Sequence, residues 1–283
     1  MQAEPDPFAF RSAPFPFRVE AAAASDIGQE RKNNEDRVLV ADLANGVAIA
    51  PGAEATSNVF SGDWVAAVFD GMGGEAGGEV ASTLGIDAVL RSLLASRIAA
   101  AGAYGGDILV SALRGAVQHA SQAVFAEGRR RPELGRMGST ATVALLGDGE
   151  ILVGQVGDSR AYLLRRGAFV QLTRDQTLVA FLAERTRRSV EEIAETVGQN
   201  VILQAVGAKP CVDVALTRVP IAPDDVLLLC SDGLSGPVPD DMIRTILLEH
   251  ESAAEACAAL VAAANARGGP DNVSCIVARF RRP

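Results

Sequence analysis

Aspartate stands at the ends of several apolar segments that have the pattern of β-strands. Asp70 directly follows WVAAVF, Asp158 follows ILVGQVG and Asp232 follows VLLLCS, whereas Asp271 precedes NVSCIV. Strand ends meet at the edge of a sheet, so these carboxylates can converge although they are far apart in the sequence. Taken singly, Asp70 and Asp232 are better explained by ordinary turns, because Asp-Gly is a common turn dipeptide. Taken together, they predict a carboxylate cluster.

A second acidic group lies in the segment SDIGQERKNNED, which places Asp26, Glu35 and Asp36 close to Arg31. So many acids at one edge would repel one another unless cations lay among them. Carboxylate oxygens without nearby His or Cys favour Mg²⁺ or Mn²⁺ over Zn²⁺. Two such ions can generate a hydroxide nucleophile near neutral pH and hold phosphoryl oxygens. Arg31 adds a planar fork that can bind two phosphate oxygens, and a structural ion pair with Asp26 is the alternative.

The remaining sequence argues against the commoner catalytic sites. His119 and His250 are the only histidines, and both fall in helical segments, which disfavours a His-based triad or zinc site. The chain has no G-x-S-x-G elbow and no GxxxxGK[ST] loop. The glycine-rich stretch FDGMGGEAGGEV, residues 69–80, is therefore not predicted to cradle a nucleotide. Its glycines are predicted to form a tight turn into a helix.

The composition predicts a compact globular chain. Hydrophobic residues make up 48% and charged residues 22% of the 283 residues, which does not indicate disorder. The net charge of −9 argues against binding to nucleic acid. No signal-peptide pattern and no apolar run of about 18 residues occurs, so no membrane association and a cytoplasmic location are expected. Four cysteines form no C-x-x-C pair and are predicted to be buried: Cys211, Cys230, Cys257 and Cys275.

Two clusters of arginine stand out against this acidic background. The first comprises Arg129, Arg130, Arg131 and Arg136, and the second comprises Arg185, Arg187 and Arg188. A solvated surface is the preferred interpretation of both clusters. Docking of an acidic or phosphorylated partner is the alternative.

The elements that must position the acids are strands in consecutive runs, with helices in pairs. Apolar patterns predict strands at FRVEAAAASD, DRVLVADL, WVAAVF, TATVALL, EILVGQV, AYLLRRGAFVQL, VDVALTRVPI, DDVLLLC and NVSCIVARF. Arg166-Gly167 is predicted to form a hairpin turn within AYLLRRGAFVQL. Helical spacing is found at about 76–94, 107–125, 240–250 and 252–266, and again in DQTLVAFLAERTRRSVEEIAETVG. This order predicts an α+β layered architecture, although the pattern does not fix the topology.

The domain organisation is predicted to be simple. Residues 1–17, rich in Phe and Pro, are expected to form an extended arm, and residues 18–283 a single domain. A helical segment at about 173–201 falls between strands and is a candidate flap, in which Ser189 and Glu192 have the form of a capping box. Residues 45–63 are expected to be irregular. A monomer is the default expectation.

Eight motifs in order resemble those of the metal-dependent serine/threonine protein phosphatases, the 2C or PPM family. They are SDIGQERKNNED, DGMGGEAGGEVAS, MGSTATV, GDSRAYL, TRDQTLV, NVILQAVG, LLLCSDGLSG and GGPDNVS, and they run from Ser25 to Ser274. The resemblance implies a four-layer αββα sandwich of two antiparallel sheets flanked by helix pairs. It also implies a cleft at one edge that holds two Mn²⁺ or Mg²⁺ ions.

The resemblance assigns a role to each acidic position. It implies that Asp70 bridges both metals, that the Gly71 carbonyl contacts one of them, and that Asp232 and Asp271 hold the other. Metal ligands, directly or through water, are also implied at Glu35 and Asp36, and Asp158 matches a possible third metal site. The catalytic residues implied in this way are Arg31, Asp36 and Asp70, of which Arg31 contacts the substrate phosphate.

One position departs from the pattern of eukaryotic members. Met72 stands where those enzymes often carry a histidine thought to protonate the leaving group, and the form DGMGG resembles the bacterial branch. A metal-bound water is then the working assignment for the general acid. The implied activity is hydrolysis of phosphoserine and phosphothreonine on proteins by a metal-activated water. The implied partners are phosphorylated substrates of a bacterial kinase and the kinase itself. The alternative is a catalytically inactive phosphoprotein-binding regulator.

Overall fold

The computed structural model describes residues 18–44, 47–49, 56–60, 63–73, 77–99, 106–134, 136–147, 149–198 and 201–282. The predicted arm, residues 1–17, lies outside the described residues. Part of the stretch expected to be irregular, 45–63, is described, and that expectation is wrong at 47–49 and 56–60. It contains two short strands, one at the edge of each of the two large sheets.

Two six-stranded antiparallel sheets form the centre of the fold. The first sheet contains β1 (Arg18–Asp26), β4 (Thr56–Phe60), β10 (Arg160–Arg165), β11 (Ala168–Gln171), β13 (Val226–Cys230) and β14 (Val273–Arg281), in the order β11-β10-β13-β14-β1-β4. The second contains β2 (Arg37–Asp42), β3 (Val47–Ile49), β5 (Trp64–Phe69), β8 (Ala141–Gly147), β9 (Glu150–Val156) and β12 (Ala215–Pro220), in the order β12-β9-β8-β5-β2-β3. A two-stranded ribbon pairs β6 (Gly71–Met72) with β7 (Gly138–Ser139).

Helices cover the outer faces of both sheets. The described helices are α1 (Gly77–Ala99), α2 (Asp107–Arg130), α3 (Leu178–Thr186), α4 (Val190–Val197), α5 (Asp232–Ser235), α6 (Asp240–Glu249) and α7 (Ala253–Ala266), with a 3-10 turn at Pro132–Leu134. One core joins α1 and α2 to the second sheet, and another joins α6 and α7 to the first. This arrangement confirms the predicted αββα sandwich. None of the described helices combines the length and apolar character needed to cross a bilayer.

A third core, between the sheets, explains why the central strands are apolar on both faces. The sequence WVAAVF of β5 is buried throughout. Since side chains alternate along a strand, Trp64 and Val68 lie between the sheets, whereas Val65 and Phe69 lie under α1 and α2. Trp64 stacks on Phe280 of β14 with ring centroids 6.3 Å apart, which links the two sheets directly.

Antiparallel pairing brings the acidic strand ends to one edge. In the first sheet, Asp26 at the end of β1 lies opposite Val273 at the start of β14, and Cys230 at the end of β13 lies opposite Cys275. In the second, Arg37 at the start of β2 lies opposite Phe69 at the end of β5. The residues just beyond these ends therefore leave the sandwich at the same edge.

Some local predictions were confirmed and others were wrong. Arg166 and Gly167 form the β10–β11 turn, with φ of 50° and 81°. The helix predicted to end at residue 125 continues to Arg130. Three cysteines are buried as predicted, but Cys211 is exposed because it lies in a loop before β12 and not in an apolar strand.

The contact between the sheets yields a test of packing. Phe280→Ala should lower the free energy of unfolding by about 3–5 kcal/mol, because it empties a fully buried site against Trp64. Urea denaturation measures this change. Leu248→Ala is the control, since Leu248 is 51% exposed. This substitution should change the free energy of unfolding by no more than about 0.5 kcal/mol. A loss below about 1 kcal/mol for Phe280→Ala would contradict the proposed packing.

Candidate metal centre

A cleft of about 1050 Å³ opens at the acidic edge of the sandwich. Six of the eight site residues predicted from the sequence line it: Arg31, Glu35, Asp70, Gly71, Asp232 and Asp271. The other two, Asp36 and Asp158, are buried and are not among its lining residues. The structure thus brings together carboxylates from four separate parts of the chain.

The backbone of Asp70 is fixed by the end of the neighbouring strand. The Asp70 amide donates to Thr140 Oγ1 at 3.0 Å, and the Thr140 amide donates to the Asp70 carbonyl at 2.8 Å. Ser139 Oγ donates to the same carbonyl at 2.9 Å. Thr140 Oγ1 also lies 2.7 Å from Ser159 Oγ, next to Asp158. These bonds fix the backbone of Asp70, whose side chain lines the cleft.

The glycines after Asp70 are required by close contacts as well as by the turn. A Cβ atom on Gly71 would lie 2.3 Å from the Gly78 carbonyl oxygen and 2.6 Å from the Glu35 carbonyl oxygen. A Cβ atom on Gly78 would lie 2.6 Å from Glu35 Oε2. The absence of side chains therefore lets the loop, the start of α1 and Glu35 meet beneath the cleft.

Asp232 and Asp271 are placed by a tight contact between α5 and the segment before β14. A Cβ atom on Gly233 would lie 1.9 Å from the Asn272 carbonyl oxygen, so only glycine fits after Asp232. The Ser231 amide donates to the Ser274 carbonyl at 3.0 Å. Asp232 Oδ1 is buried without a hydrogen-bond partner.

Asn272 connects Asp271 to the loop that carries Arg31 and Glu35. Its Nδ2 donates to the carbonyls of Ile27 and Asn33, both at 2.9 Å, and its Oδ1 accepts the Glu35 amide at 2.8 Å. Both N–H groups of Nδ2 and the oxygen Oδ1 therefore form hydrogen bonds. This side chain therefore sets the position of the loop relative to β14.

Asp36 is held behind the cleft by serine hydroxyls. Ser231 Oγ donates to Asp36 Oδ2 at 2.7 Å and also accepts the Ser274 amide at 3.0 Å. Ser25 Oγ lies 2.8 Å from Ser274 Oγ, which ties the end of β1 to the same group. Asp36 is only 2% exposed, so these hydroxyls replace its contacts with water.

The carboxylates perturb one another. Burial raises the pKa of Asp36 to about 7, against hydrogen bonds from two serines. Burial, and then the charges of Asp36 and Asp232, raise the pKa of Asp70 well above its usual value. The pKa of Asp232 is raised by burial and by the charge of Asp271, although a hydrogen bond with Asp70 lowers it. A cluster of this kind favours either protons or cations.

Asp158 lies beside this cluster and carries a second orphaned oxygen. Its Oδ1 is buried without a hydrogen-bond partner. Burial raises the pKa of Asp158 to about 7, and the charges of Asp232 and Asp175 add to the shift. Asp158 is thus electrostatically coupled to the cleft although it does not line it.

Arg31 is paired within the site. Its Nη2 donates to Asp271 Oδ2 at 2.6 Å, and its side chain is 52% exposed. Burial tends to lower the pKa of Arg31, but Asp271 more than offsets this effect and the pKa is raised. The alternative pairing with Asp26 is wrong, because Asp26 Oδ1 instead accepts the Gly28 amide and Asn265 Nδ2.

The donor set fits hard divalent cations. Four carboxylates line the cleft together with two basic side chains, Arg31 and Lys32, and Arg31 is already paired. Within the described ranges, no three His, Cys, Asp or Glu side chains form a ready cage for one ion. Mg²⁺ in particular is usually bound by one or two carboxylates and several waters, so a full protein cage is not required. The orphaned oxygens of Asp232 and Asp158 are further candidate ligands.

The predicted flap borders the cleft. It contains α3 and α4, and the Ser189 cap is confirmed, since its Oγ accepts the Glu192 amide at 3.2 Å. Val201 and Ile202, at the end of this segment, line the cleft. The Leu178 amide donates to the Val201 carbonyl at 2.8 Å, which closes the base of the flap.

Several residues of the site were missed in the sequence. Thr140, Ser231, Asn272 and Ser274 all position acidic residues. Their signal was adjacency, because Ser231 precedes Asp232 and Asn272 follows Asp271. Adjacency alone does not show which group a polar side chain binds.

Comparison with known proteins identifies the same architecture elsewhere. The model of the family described as protein phosphatase 2C matches residues 53–276. The serine/threonine protein phosphatase PstP of Mycobacterium tuberculosis is 37% identical over 257 residues, which cover 91% of this chain and 44% of the relative. The chain thus spans less than half the length of that relative. The serine/threonine phosphatase stp of Listeria welshimeri is 31% identical over 74% of this chain and 82% of the relative.

Solved structures agree with these sequence matches. The crystal structure of the M. tuberculosis phosphatase PstP/Ppp superposes with a TM-score of 0.77 at 35% identity and covers 94% of this chain and 100% of that chain. The catalytic domain of PstP was solved in complex with two manganese ions, and it superposes with a TM-score of 0.74, also at 35% identity, covering 94% of this chain and 99% of that chain.

The role of Asn272 can be tested by hydrogen exchange. Asn272→Ala should speed amide exchange of residues 28–35 by about tenfold or more, because the loop loses three hydrogen bonds worth about 1 kcal/mol each. Ser96→Ala is the control, since Ser96 Oγ only bonds back to Ser92 within α1. Unchanged exchange in the loop would show that Asn272 does not organise it.

The raised pKa values predict an unusual pH dependence in chelator. Carboxyls whose pKa is raised in the folded state bind protons more tightly there than in the unfolded chain. Their stabilising effect is complete below about pH 4 and is lost as pH rises through about 7. Unfolding in EDTA should therefore show stability falling between pH 4 and 7, with a shallower fall in Asp36→Asn.

Saturating Mn²⁺ should remove most of this decline, because cations then compensate the ionised carboxylates. The opposite trend, with stability in EDTA rising over that range, would contradict the electrostatic account of the cluster.

Proposed function

Because the chain belongs to the protein phosphatase 2C family, we propose that it is a metal-dependent phosphatase that hydrolyses phosphoserine and phosphothreonine on proteins. The observation that carries the proposal is the convergence of four carboxylates and Arg31 in one cleft at the sheet edge. An acidic cleft would repel a phosphate ester by itself. It becomes a phosphate site only when the positive charge of bound cations and basic side chains exceeds the negative charge of its carboxylates.

Asp70, Asp232, Asp271 and Glu35 are the proposed metal ligands in the cleft, with the Gly71 carbonyl as an additional oxygen donor. When bound, two divalent cations would lower the pKa of an attacking water and neutralise the phosphoryl group. Asp36 supports this set from behind, held by Ser231 and its neighbours. Asp158 is the proposed ligand for a third ion, since its orphaned oxygen lies in the field of Asp232.

Arg31 is proposed to bind and orient the phosphate. Its half-exposed guanidinium lies at the cleft. It can replace its bond to Asp271 by a bond to a phosphate oxygen, or it can bind Asp271 and the phosphate at the same time. No histidine lines the cleft among the described residues, and Met72 occupies the wall beside Gly71. Solvent is therefore the proposed source of the proton for the departing serine or threonine oxygen.

The alternative of an inactive phosphoprotein-binding regulator is less well supported. A protein that only binds phosphate has no need for the buried carboxylates, which cost stability unless they serve a cation. The proposed partners are proteins that a serine/threonine kinase has phosphorylated, and that kinase itself. Phosphatase names of the M. tuberculosis and Listeria relatives support this class of substrate.

Hydrolysis of a phosphothreonine peptide tests the proposal. Activity should require Mn²⁺ or Mg²⁺, vanish in EDTA and return when metal is added back. Asp232→Asn should lower kcat/KM by about 10²–10³-fold, because the substitution removes the charge of a proposed metal ligand. The fold should stay intact, since asparagine has nearly the same shape as aspartate. The matched control is Asp241→Asn, since Asp241 is exposed in the first turn of α6.

Full activity in EDTA, or an equal effect of both substitutions, would contradict the metal-dependent mechanism. If the intact protein with Mn²⁺ hydrolyses none of several phosphopeptides but binds them, the regulator alternative replaces the proposal.

A further inference from the structure

The first arginine cluster of the sequence lies beside the cleft. Residues 127–136 contain four arginines and two glutamates in a chain whose net charge is −9. The structure divides the arginines into two pairs. Arg130 bonds Glu127 at 2.7 Å, and Arg131 bonds Glu133 at 3.0 Å. Both glutamates of this segment are therefore already paired with an arginine.

The second pair consists of Arg129 and Arg136, which are exposed. Within the part of the chain that the structure describes, neither has an acidic partner. Both line a pocket of about 440 Å³. We call it the arginine pocket; its apolar lining includes Met72, Phe125 and Met137.

Glycines keep the arginine pocket open. Gly128 and Gly207 both line it, and a Cβ atom on Gly128 would lie 3.2 Å from Met137 Cγ. Gly207 has a φ of +85°, and its amide donates to Ser121 Oγ of α2 at 3.1 Å. This bond fixes the segment after the flap against the helix. The pocket is thus a formed cavity, whereas a solvated arginine surface needs no cavity.

Met72 connects the arginine pocket to the catalytic cleft, because it lines both. It pairs with Gly138 in the β6–β7 ribbon, and Gly138 also lines the arginine pocket. Met72 lies two residues after Asp70, so their Cα atoms are at most about 7 Å apart. A peptide bound in the cleft can cover that distance with about two extended residues.

We propose that the arginine pocket binds an anionic side chain of the substrate, one to three residues from the phosphorylated residue. The inference rests on the proposed phosphatase function and adds a substrate preference to it. Arg129 and Arg136 would pair with a carboxylate or a second phosphate, while the apolar lining packs against the stem of that side chain.

The end of α2 opposes this binding but does not outweigh it. The C-terminus of a helix carries about half a negative charge, which disfavours an anion nearby. Arg129 and Arg136, which have no acidic partner among the described residues, together supply four times that charge with the opposite sign. Solvent reduces both effects. We therefore expect the protein to prefer anionic peptides about tenfold in kcat/KM, and not to require the anionic side chain.

Paired phosphothreonine peptides test the proposal. One series carries a single glutamate at each position from −4 to +4, a second carries phosphoserine there, and the reference carries alanine. The protein with Mn²⁺ should prefer the anionic peptides about tenfold in kcat/KM at one or two adjacent positions. Arg129→Glu combined with Arg136→Glu should abolish or reverse that ratio. A ratio is used because damage to the fold lowers both rates equally.

Arg114→Glu is the matched control. Arg114 is an exposed arginine on the same helix, outside the arginine pocket, so this change alters the net charge without touching the proposed site. Its anionic preference should equal that of the unaltered protein. A wild-type preference below twofold at every position, or an equal loss in the control, would overturn the proposal.

Binding separates this inference from the proposed function. The same peptides with a non-hydrolysable phosphonate in place of the phosphothreonine ester can be titrated by calorimetry with Mn²⁺ present. If no ester is hydrolysed, the proposed function fails, but an anionic preference in Kd that Arg129→Glu/Arg136→Glu removes still supports the arginine pocket. Equal Kd values for anionic and alanine peptides, or no binding of either, overturn it.

Discussion

Repulsion between carboxylates at one edge of the sandwich is the constraint on which the rest of the structure depends. Burial of an ionised carboxylate is costly, and here several lie close enough to raise one another's pKa. The Ser231 hydroxyl, which donates to Asp36, and the Asn272 backbone amide, which donates to Asp271, offset part of this cost. The orphaned oxygens of Asp232 and Asp158 show that the protein alone does not offset all of it. Divalent cations are the natural completion of such a site.

The two sheets supply the rigidity that this cluster needs. Each acidic residue is attached to the end of a buried strand, and the strands are joined by antiparallel pairing and by the core between the sheets. Because Trp64 stacks on Phe280 across that core, the two sheets cannot shift independently. Carboxylates from β5 and from the loop before β14 are thereby kept at fixed separation. Small contacts such as Gly233 against Asn272 complete the alignment.

Charge is unevenly distributed between the cleft and the surface beside it. The cleft concentrates acid, whereas its neighbourhood at the end of α2 concentrates arginine within an acidic chain. A phosphorylated peptide is anionic, so its approach depends on bound metals and on basic side chains near the cleft. In the proposed function, bound metals act on the phosphate itself. In the proposed substrate preference, Arg129 and Arg136 outside the cleft act on the residues that flank it.

The sequence by itself determined the layered fold and most of the acidic site. Apolar segments ending in aspartate predicted the layered class and the carboxylate cluster, because strand periodicity and the position of a strand end are local properties. The αββα arrangement and the roles of the site residues came from the resemblance of the ordered motifs to a known family. The Ser189 cap and the Arg166–Gly167 turn were likewise local and were confirmed. Tertiary structure alone decided that Arg31 pairs with Asp271 and not with Asp26, that Cys211 is exposed, and that Asn272 holds the loop. Among the described residues, it also decided which arginines beside a cavity have no acidic partner. These outcomes depend on contacts between distant segments, whose geometry no local pattern encodes.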